Sequence, residues 1–354
     1  MLTSKLAAGA MALIVPATVC LTGCSFGMFN TLNYKYDNAD KYEAGNREID
    51  DKITKINLDY ASGNVTVKGK DTDTVSVKET VNKDIDKDHQ VHTWVDGDTL
   101  YIRYCASKEM LNFSGIEKSL EVTIPEAQNL DDFIINVSSG DILLDSFTTD
   151  SLNSRSSSGN TKIACSAKAI EHKSSSGNVN LVQKGNADSI KVKLSSGNLV
   201  FDQEGDIDSL DIDSSSGKIE IYQTGNVGTA KIHSSSGGVK AEMGTVDDLT
   251  IDVSSGPIVL AADEVKNLNT KASSGHSTIS LDKAPATSKI NCSSGGIDVS
   301  IPEDSDITVH VKISSGDFNY ELPFSKEGKD YVNGNGTADM EIHCSSGDVG
   351  FHKI

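Results

Sequence analysis

A Ser-Gly motif returns about every 20 residues along most of this chain. The glycines that close successive copies are separated by 19, 18, 20, 20, 20, 19, 19, 20, 21 and 31 residues. These glycines are Gly140, Gly159, Gly177, Gly197, Gly217, Gly237, Gly256, Gly275, Gly295, Gly316 and Gly347, and an earlier copy is closed by Gly63. A fixed period of this length is typical of repeat architectures, in which each repeat contacts its neighbours.

Apolar residues alternate with polar ones on both sides of each glycine. In the copy closed by Gly217, Leu210 and Ile212 precede the glycine by seven and five residues. Ile219 and Ile221 follow it by two and four. Alternation with a period of two predicts half-buried strands. The apolar positions change from odd to even offsets at the glycine, which a straight strand cannot do while one face stays buried. We therefore predict a bend at every motif.

A second set of turns follows about eight residues after the motif. Gly185, Gly205 and Gly225 mark it, and a single inward apolar residue comes two positions later. Each period of about 20 residues then contains two short strands and two turns. This is the length of one coil of a β-solenoid, in which neighbouring coils pair at a distance of about 4.8 Å. The predicted fold class is all-β, a parallel β-solenoid with coils of about 20 residues cornered by Ser-Ser-Gly.

The repeated serines have a catalytic and a structural interpretation. A catalytic serine would be one unique copy beside a base, whereas these serines recur from coil to coil. Glycine suits a corner that requires a positive φ or a close approach of neighbouring coils. Serine hydroxyls can satisfy backbone groups that a corner leaves unpaired, and stacked copies can bond one another. The repeat therefore predicts structural corners with a ladder of serines.

The N-terminus predicts export. A short positive start at residues 1–5 precedes an apolar run at 6–21 that is too short for a good spanning helix. The run ends in LTGC at 21–24, which resembles the lipobox of bacterial lipoproteins. The resemblance implies that residues 1–23 are a signal peptide and that Cys24 carries acyl chains such as palmitate. The protein would then be extracytoplasmic and anchored to the membrane, since each buried CH₂ contributes about 0.8 kcal/mol. An ordinary secretory signal with a chance cysteine is the alternative.

Composition bounds the remaining chain. Residues 24–45 are polar and predict a flexible tether, and residues 46–354 hold the repeats. The formal net charge of −19 makes nucleic acid an unsuitable partner, because a phosphate backbone needs a basic surface. The cysteines that remain beyond Cys24 form no CxxC pair, and we interpret them as small buried apolar residues; they are Cys105, Cys165, Cys292 and Cys344.

The order of segments outside the regular repeat resembles a known family. The segments INLDYASGNVTVKGKDTDTVSVKET (56–80), DGDTLYIRY (96–104) and SLEVTIPEAQNLDDFIINVSSGDILL (119–144) follow one another, and VNGNGTADMEIHCSSGDVGF (332–351) closes the chain. Together they resemble the "putative adhesin" family of β-strand-repeat proteins, the domain of unknown function 4097, over about residues 46–354. The resemblance implies a right-handed parallel β-solenoid in a cell-envelope setting, and it implies no catalytic residues.

Two features of the sequence could bind an ion. His89 and His92 in DKDHQVH (86–92) could hold a metal with nearby carboxylates only if the segment were a loop, since residues three apart in a strand face opposite sides. Calcium would need a regular cage of six to eight oxygens. Aspartate follows some corner glycines and asparagine follows others, as at Asn160, Asn178 and Asn198, so no such cage is predicted. No catalytic, cofactor or metal residue is assigned.

The predicted function is a non-catalytic, adhesin-like or scaffolding role at the cell envelope, with a glycan or a protein as partner. A regulatory or accessory partner in an envelope-stress response is the alternative. A polysaccharide-acting enzyme is more remote, because Arg47, Arg103 and Arg155 are scattered over separate elements. The long final spacing makes room for PFSKEGKDYVNGNG (323–336), a predicted loop that is either a contact site, through Phe324 and Tyr331, or a plain surface insertion.

Overall fold

The computed structural model describes residues 34–109 and 115–354, and this part of the chain is almost entirely β-structure. Its 28 strands join in one continuous sheet. The two helical segments are single 3-10 turns, Ala39–Lys41 and Lys87–His89. The all-β class is therefore confirmed. Cys24 and the predicted signal peptide, residues 1–23, lie outside the described residues.

The strands divide into an N-terminal, a central and a C-terminal group. The N-terminal group is β1 (Glu43–Ala44), β2 (Arg47–Ile49), β3 (Lys55–Ser62), β4 (Asn64–Lys70), β5 (Val75–Val81), β6 (His92–Asp96), β7 (Thr99–Arg103), β8 (Lys118–Pro125) and β9 (Asn129–Ser139). The central group is β10 (Ile142–Ser158), β11 (Thr161–Ser174), β12 (Val179–Gln183), β13 (Ala187–Leu194), β14 (Leu199–Gln203), β15 (Ile207–Ser216), β16 (Ile219–Gln223), β17 (Val227–Ser236), β18 (Val239–Ser255), β19 (Ile258–Ser274), β20 (Ser277–Leu281), β21 (Thr287–Ser294) and β22 (Ile297–Ile301). The C-terminal group is β23 (Ile307–Ile313), β24 (Phe318–Tyr320), β25 (Ser325–Glu327), β26 (Asp330–Asn333), β27 (Ala338–Ser346) and β28 (Val349–Lys353).

Each coil places one stretch of strand before its corner glycine and another after it. We call the surface formed by the stretches before the glycines the first face, and the other the second face. On the first face β15 pairs in parallel with β13 and β17, and on the second face β16 pairs in parallel with β14 and β18. Equivalent residues are partners, so Ile212 lies between Val192 and Ile232. The coils are thus stacked in register, as the repeat spacing predicts.

Coil length decides whether the second corner forms. Coils of 18 or 19 residues run through this position within a single strand, as β10, β11, β18 and β19 do. Coils of 20 residues or more divide there into two strands, for example around Gly185, Gly205 and Gly225. The additional residue leaves the ladder and forms the turn. The prediction of two short strands per coil was therefore right only for the longer coils.

Aliphatic side chains fill the interior of the coils. The inward positions before and after each corner are occupied mainly by isoleucine, valine and leucine, most of them less than 3% exposed. Burying one such side chain contributes about 1.5–3 kcal/mol, so every coil adds a similar layer of stabilisation. The four cysteines considered above are free and buried within these layers.

A long insertion between β4 and β9 builds the N-terminal end. β3 and β4 stack directly on β9 and β10, so Gly63 begins the series of corners. The inserted strands are joined by β1 and β2, which precede β3 in the chain. The first face is extended through β7, β6 and β1, and the second face through β8, β5 and β2. The outer strands β6, β1, β5 and β2 pair antiparallel, which ends the parallel stack and limits edge-to-edge pairing with other chains.

A buried ion pair holds this insertion to the first coil. Lys118 Nζ on β8 lies 2.8 Å from Glu79 Oε1 on β5, and both side chains are at most 3% exposed. The Tyr60 hydroxyl donates to the same carboxylate at 2.8 Å, and the backbone N–H of Val91 donates to its other oxygen at 2.9 Å. Because every part of the carboxylate has a partner, its burial is tolerated.

The described part of the predicted tether packs against the same end. The Tyr34 hydroxyl donates to the carbonyl oxygen of Asp59 at 2.9 Å, and the Tyr36 hydroxyl donates to that of Cys105 at 3.0 Å. β1 then pairs with β6. The prediction of a flexible tether over 24–45 is therefore wrong for residues 34–45. Their local composition is polar, and the contacts that hold them come from residues far away in the chain.

The last coil is inserted out of chain order. β27 pairs in parallel with β21 on one side and with β23 on the other. β28 likewise lies between β22 and β24. The coil closed by Gly347 is therefore sandwiched between those closed by Gly295 and Gly316.

The segment 323–336, predicted to be a loop, contains a β-hairpin. β25 pairs antiparallel with β26, and β26 pairs antiparallel with the outer edge of β23. This edge is available because β27 occupies the other side of β23. The loop prediction was wrong because the hairpin depends on this tertiary pairing rather than on a local pattern.

Candidate functional site

The eleven corner glycines share one backbone conformation, with φ between 107° and 137°. A Cβ added to Gly217 would lie 2.0 Å from the carbonyl oxygen of Gly197, its equivalent in the preceding coil. L residues rarely adopt this φ, and no side chain fits against the neighbouring backbone. Glycine is therefore required at these corners both by the positive φ and by the close contact with the neighbouring coil.

The inward serine hydroxyls bond within their own coil. Ser156, Ser174 and Ser214 donate to the carbonyl oxygen two residues further on, at 3.4, 3.2 and 3.3 Å. Cys344 occupies the equivalent position, and its thiol lies 3.3 Å from the carbonyl oxygen of Gly347. Among the hydrogen bonds of the described coils, none joins these three serines to one another. The prediction of a ladder of serines was therefore wrong, since each hydroxyl is used by its own corner.

From Asn160 to Lys218, the residue that follows each corner glycine bonds to its equivalent in the preceding coil, and we call these bonds the asparagine ladder. The backbone N–H of Asn160 donates to Asp141 Oδ1 at 2.7 Å, and that of Asn178 donates to Asn160 Oδ1 at 3.1 Å. Asn198 and Lys218 continue the series at 3.0 and 2.9 Å. The asparagines and aspartates that recur after the glycines are visible in the sequence, where their oxygens were interpreted only as possible calcium ligands. Their side-chain oxygens instead accept the N–H groups that the corners leave free.

At the second corner, glutamine side chains bond to the backbone of the preceding coil. Gln203 Nε2 donates to the carbonyl oxygen of Gly185 at 2.6 Å, and Gln223 Nε2 donates to that of Gly205 at 2.7 Å. Both glutamines are buried. The repeated polar side chains of the central coils therefore mostly form hydrogen bonds that hold the stacked coils together.

An open groove of about 640 Å³ runs along the second face beside the asparagine ladder. It crosses five coils from Asp141 to Lys218. Its lining differs from coil to coil, with Leu143, Lys162, Asn180 and Val200 at successive outward positions. The groove therefore offers a composite surface rather than one repeated contact.

The two histidines considered for a metal have separate partners. His89 Nδ1 lies 2.6 Å from Asp86 Oδ1, whereas His92 is buried and its Nδ1 lies 2.9 Å from the carbonyl oxygen of Gln90. Across residues 34–109 and 115–354, no group of three or more His, Cys, Asp and Glu side chains is arranged to hold a metal ion.

Aromatic residues are concentrated towards the two ends of the solenoid. Between residues 148 and 317 the sequence contains only Phe201, which is in the core, and Tyr222. Residues 318–331 alone contain four: Phe318, Tyr320, Phe324 and Tyr331. The regular coils need narrow aliphatic layers, so the wide rings are placed where the coil stack ends.

These four C-terminal rings contact one another. Tyr331 lies 4.7 Å from Phe318 and 5.5 Å from Tyr320 between ring centroids, and Phe324 lies 5.5 Å from Tyr320. Tyr320 is 46% exposed, and Lys326 Nζ lies 5.4 Å from the centre of Tyr331. We call the four residues the aromatic tip. It combines Phe324 and Tyr331, which the sequence singled out, with Phe318 and Tyr320, which it did not.

His310 joins the hairpin to the body beside this tip. Its Nδ1 lies 2.7 Å from Asp330 Oδ1 on β26, and its Nε2 lies 2.9 Å from Asp339 Oδ1 on β27. The hydrogen bond with Asp330, with the charges of both carboxylates, raises the pKa of His310 above its ordinary value. Both carboxylates stabilise the protonated form of the ring.

A second polar group lies on the neighbouring second-face strands. Asp298 lies between His276 Nε2 at 2.7 Å and His352 Nε2 at 3.2 Å. Glu321, next to Tyr320, lies 3.5 Å from His352 Nδ1. The hydrogen bond that His352 makes to the Asp298 carboxylate raises the pKa of His352. The C-terminal end thus carries two histidine–carboxylate groups, one around His310 and one around His352.

The sequence matches one family model over most of its length. The model is described as Toastrack DUF4097, and the matched segments are residues 53–185 and 181–351. No curated protein matches the chain. In the described part of the chain, no helix is long and apolar enough to cross a membrane.

Three solved structures illustrate the relationship. A "putative adhesin" from Parabacteroides merdae is 13% identical and has a TM-score of 0.30, covering 91% of this chain and 100% of its own. A "putative adhesin" from Parabacteroides distasonis is 12% identical with a TM-score of 0.31, covering 90% and 99%. One from Bacteroides fragilis is 11% identical with a TM-score of 0.24, covering 86% and 95%. Since these TM-scores lie below 0.5, membership rests on the sequence match: the chain belongs to the Toastrack DUF4097 family.

Proposed function

We propose that this protein is an extracytoplasmic lipoprotein, held to the membrane by acyl chains on Cys24, with a non-catalytic, adhesin-like role. The LTGC end of the apolar N-terminal run supports the anchor. The winding of the coils is inferred to be right-handed, as the family resemblance implies and as parallel crossover connections favour. The regular coils serve as a rigid body that carries a contact surface at its far end.

The aromatic tip is the observation that carries the proposed role. Among the tyrosines of the described residues, Tyr320 has the most exposed side chain, at 46%. Exposed apolar groups with polar surroundings mark interaction surfaces. A sugar ring offers a C–H face that packs on an aromatic ring and hydroxyls that bond to carboxylates. Glu321 follows Tyr320 in the chain and lies 3.5 Å from one ring nitrogen of His352, whose other ring nitrogen lies 3.2 Å from Asp298. Carboxylates at the same end of the protein as the tip would suit an envelope glycan.

The non-catalytic part of the proposal rests on how the polar groups are used. The corner serines bond to their own backbone, and the asparagines bond to the next coil. The histidines beside the tip are held by carboxylates rather than by a nucleophile. A catalytic serine or cysteine needs a base within hydrogen-bond reach.

Alanine substitution in the tip tests the role. Tyr320→Ala and Tyr331→Ala should each weaken binding to polysaccharide isolated from the native envelope about tenfold, a change of about 1.4 kcal/mol. Tyr222→Ala, which removes a partly exposed tyrosine from a central coil, is the matched control and should leave binding unchanged. Unaltered binding in both folded tip variants would overturn the proposal, and so would hydrolysis of the polysaccharide.

A mass measurement tests the anchor independently. Cys24→Ala should give an unprocessed or released protein without acyl mass, whereas the unmodified chain should be processed before Cys24 and partition into detergent. Equal mass and equal detergent partitioning of the two chains would refute acylation of Cys24.

A further inference from the structure

A second group of rings lies on the outer surface of the N-terminal strands. Trp94 on β6 stacks on Tyr101 of β7, with ring centroids 5.1 Å apart and an angle of 18° between the planes. Tyr42 lies 5.6 Å from Trp94, and Tyr36 lies 4.6 Å from Tyr42. All four side chains keep part of their surface in solvent. We call Tyr36, Tyr42, Trp94 and Tyr101 the N-terminal aromatic patch.

Two cations lie over this patch. Lys41 Nζ is 4.7 Å from the centre of the Trp94 ring, and the guanidinium carbon of Arg103 is 5.4 Å from the centre of the Tyr101 ring. Tryptophan and tyrosine with lysine and arginine form the combination that is enriched where a membrane meets water. The rings take the apolar side of that boundary, and Lys41 can bond to lipid phosphates. Arg103 Nη1 already donates to the carbonyl oxygens of Asn57 and Ile102 and holds the rings in place.

The docking of residues 34–45 brings the patch close to Cys24 along the chain. Ten residue steps separate Cys24 from Tyr34, which is already bonded to the body through Asp59. They cannot span more than about 36 Å, whereas an extended tether reaching residue 45 would span about 70 Å. A lipid on Cys24 would therefore keep the patch near the bilayer, where even a weak contact forms because it is intramolecular.

The charge of the segment favours the same surface. The whole chain carries −19, which opposes its approach to anionic lipid. Residues 34–45 carry a net charge of only −1, because Lys35 and Lys41 stand against Asp37, Asp40 and Glu43. A zwitterionic lipid surface has no net charge, so this segment can approach it with little repulsion.

We propose that the N-terminal aromatic patch rests in the headgroup layer of the bilayer and so stands the solenoid on its N-terminal end. This inference depends on the acylated anchor of the proposed function. Twelve stacked corners from Gly63 to Gly316 extend about 50 Å at about 4.8 Å per coil. The aromatic tip is then held away from the membrane, where a glycan can reach it.

Trp94 is the sole tryptophan, so its fluorescence reports on the patch directly. The processed chain from Cys24, which contains every described residue, is coupled through the Cys24 thiol to a maleimide lipid in phosphatidylcholine vesicles. Cys105, Cys165, Cys292 and Cys344 are buried, and burial raises the thiol pKa of Cys105 and Cys165 to about 12, so Cys24 reacts selectively. Coupling should shift Trp94 emission to shorter wavelength, and phosphatidylcholine brominated in its acyl chains should quench it.

A moved reporter is the control. The double substitution Trp94→Phe and His233→Trp places the only tryptophan on the outward side of β17, which belongs to the same first face as β6 and lies six coils, or about 29 Å, from the Gly63 corner. Its emission should be neither shifted nor quenched. Unchanged Trp94 emission would mean that the rings only hold residues 34–45 to the body, and equal quenching of both reporters would mean that the solenoid lies flat. Either result overturns the proposal. Because coupling supplies the anchor chemically, failure here is distinct from failure of Cys24 acylation in the cell.

Discussion

Gly347 lies directly against Gly295, since a Cβ added to Gly347 would be 2.2 Å from the carbonyl oxygen of Gly295. Gly316 comes between them in the chain but stacks on the far side of Gly347, where its own Cβ would be 2.1 Å from the Gly347 carbonyl oxygen. The final strands are therefore an internal layer of the solenoid. The C-terminal end, including the aromatic tip, is complete only when these last residues are in place.

Truncation after Thr337 should open this end. β27 and β28 cover β21 and β22, so their removal should expose Cys292, which is 2% exposed in the complete protein. Mass spectrometry after thiol labelling of the native protein measures this. Cys165 lies in the coil closed by Gly177, at a distance from the cut, and should stay protected in the same sample. A protected Cys292 in the folded truncated chain would contradict the inserted order.

Glycine substitutions should separate backbone strain from coil contact. Gly217 has φ 114° and a contact of 2.0 Å for an added Cβ, Gly185 has φ 90° with open space, and Gly205 has a contact of 2.2 Å with no positive φ. Strain costs about 1–3 kcal/mol, and overpacking costs a similar amount. Gly217→Ala should therefore lower the free energy of unfolding by about 2–6 kcal/mol in a denaturant titration. Gly185→Ala and Gly205→Ala should each lose less, and a harmless Gly217→Ala would refute the corner.

The asparagine ladder predicts a small, specific effect. Asn178→Ala removes the acceptor for the N–H of Asn198 and should cost about 0.5–1.5 kcal/mol of unfolding free energy. Asn178→Asp keeps an oxygen at this position, as Asp141 does for Asn160, and should be close to neutral. Equal losses in the two variants would show that the bond does not stabilise the stack.

His172 should make stability depend on pH. Burial lowers its pKa to about 4, so the folded protein holds the ring neutral. Because the unfolded value is about 6.5, the unfolded chain binds an extra proton between these values. The stabilisation that the neutral ring gives the folded protein is complete above about pH 6.5 and is lost as the pH falls towards about 4. The free energy of unfolding should therefore fall by about 2 kcal/mol between about pH 7 and about pH 5.

His172→Ile should remove this part of the pH dependence. Isoleucine stands at the equivalent positions Ile212 and Ile232 in other coils, so the substitution suits the layer. Ser154 loses a partner at 3.2 Å, which should shift stability equally at both pH values. Denaturant titrations at the two pH values measure the difference, and an unchanged pH slope would contradict a neutral buried His172.

His310 should act in the opposite direction. Its pKa is raised, first through the hydrogen bond with Asp330, so its stabilisation is present below the unfolded pKa and is lost as the pH rises through the folded value. Amide exchange in β25 and β26, corrected for its intrinsic pH dependence, should therefore speed up between about pH 6 and about pH 8. His310→Gln should abolish this change. The same acceleration in the variant would place its cause elsewhere.

Much of the central solenoid could be predicted from the sequence. The spacing of Gly177, Gly197 and Gly217 and the alternation around them repeat one local geometry, so each coil carries the information for its own corners and inward side chains. The ladders were harder. Asn160 and Asn178 recur visibly after the glycines, but the oxygen of each accepts an N–H from the following coil, and only stacking brings the two together.

The period, the corners and the aliphatic layers follow from the sequence, because these depend on residues within one coil or its next copy. Three features arise only in the folded chain: the docking of Tyr34 and Tyr36, the insertion of Gly347 between Gly295 and Gly316, and the contact of Phe318 with Tyr331. Those contacts occur at the two ends, where no further coil continues the repeat. Unpaired strand edges and uncovered layers there must be satisfied by irregular segments, and which segment fits depends on the whole folded chain rather than on a local pattern.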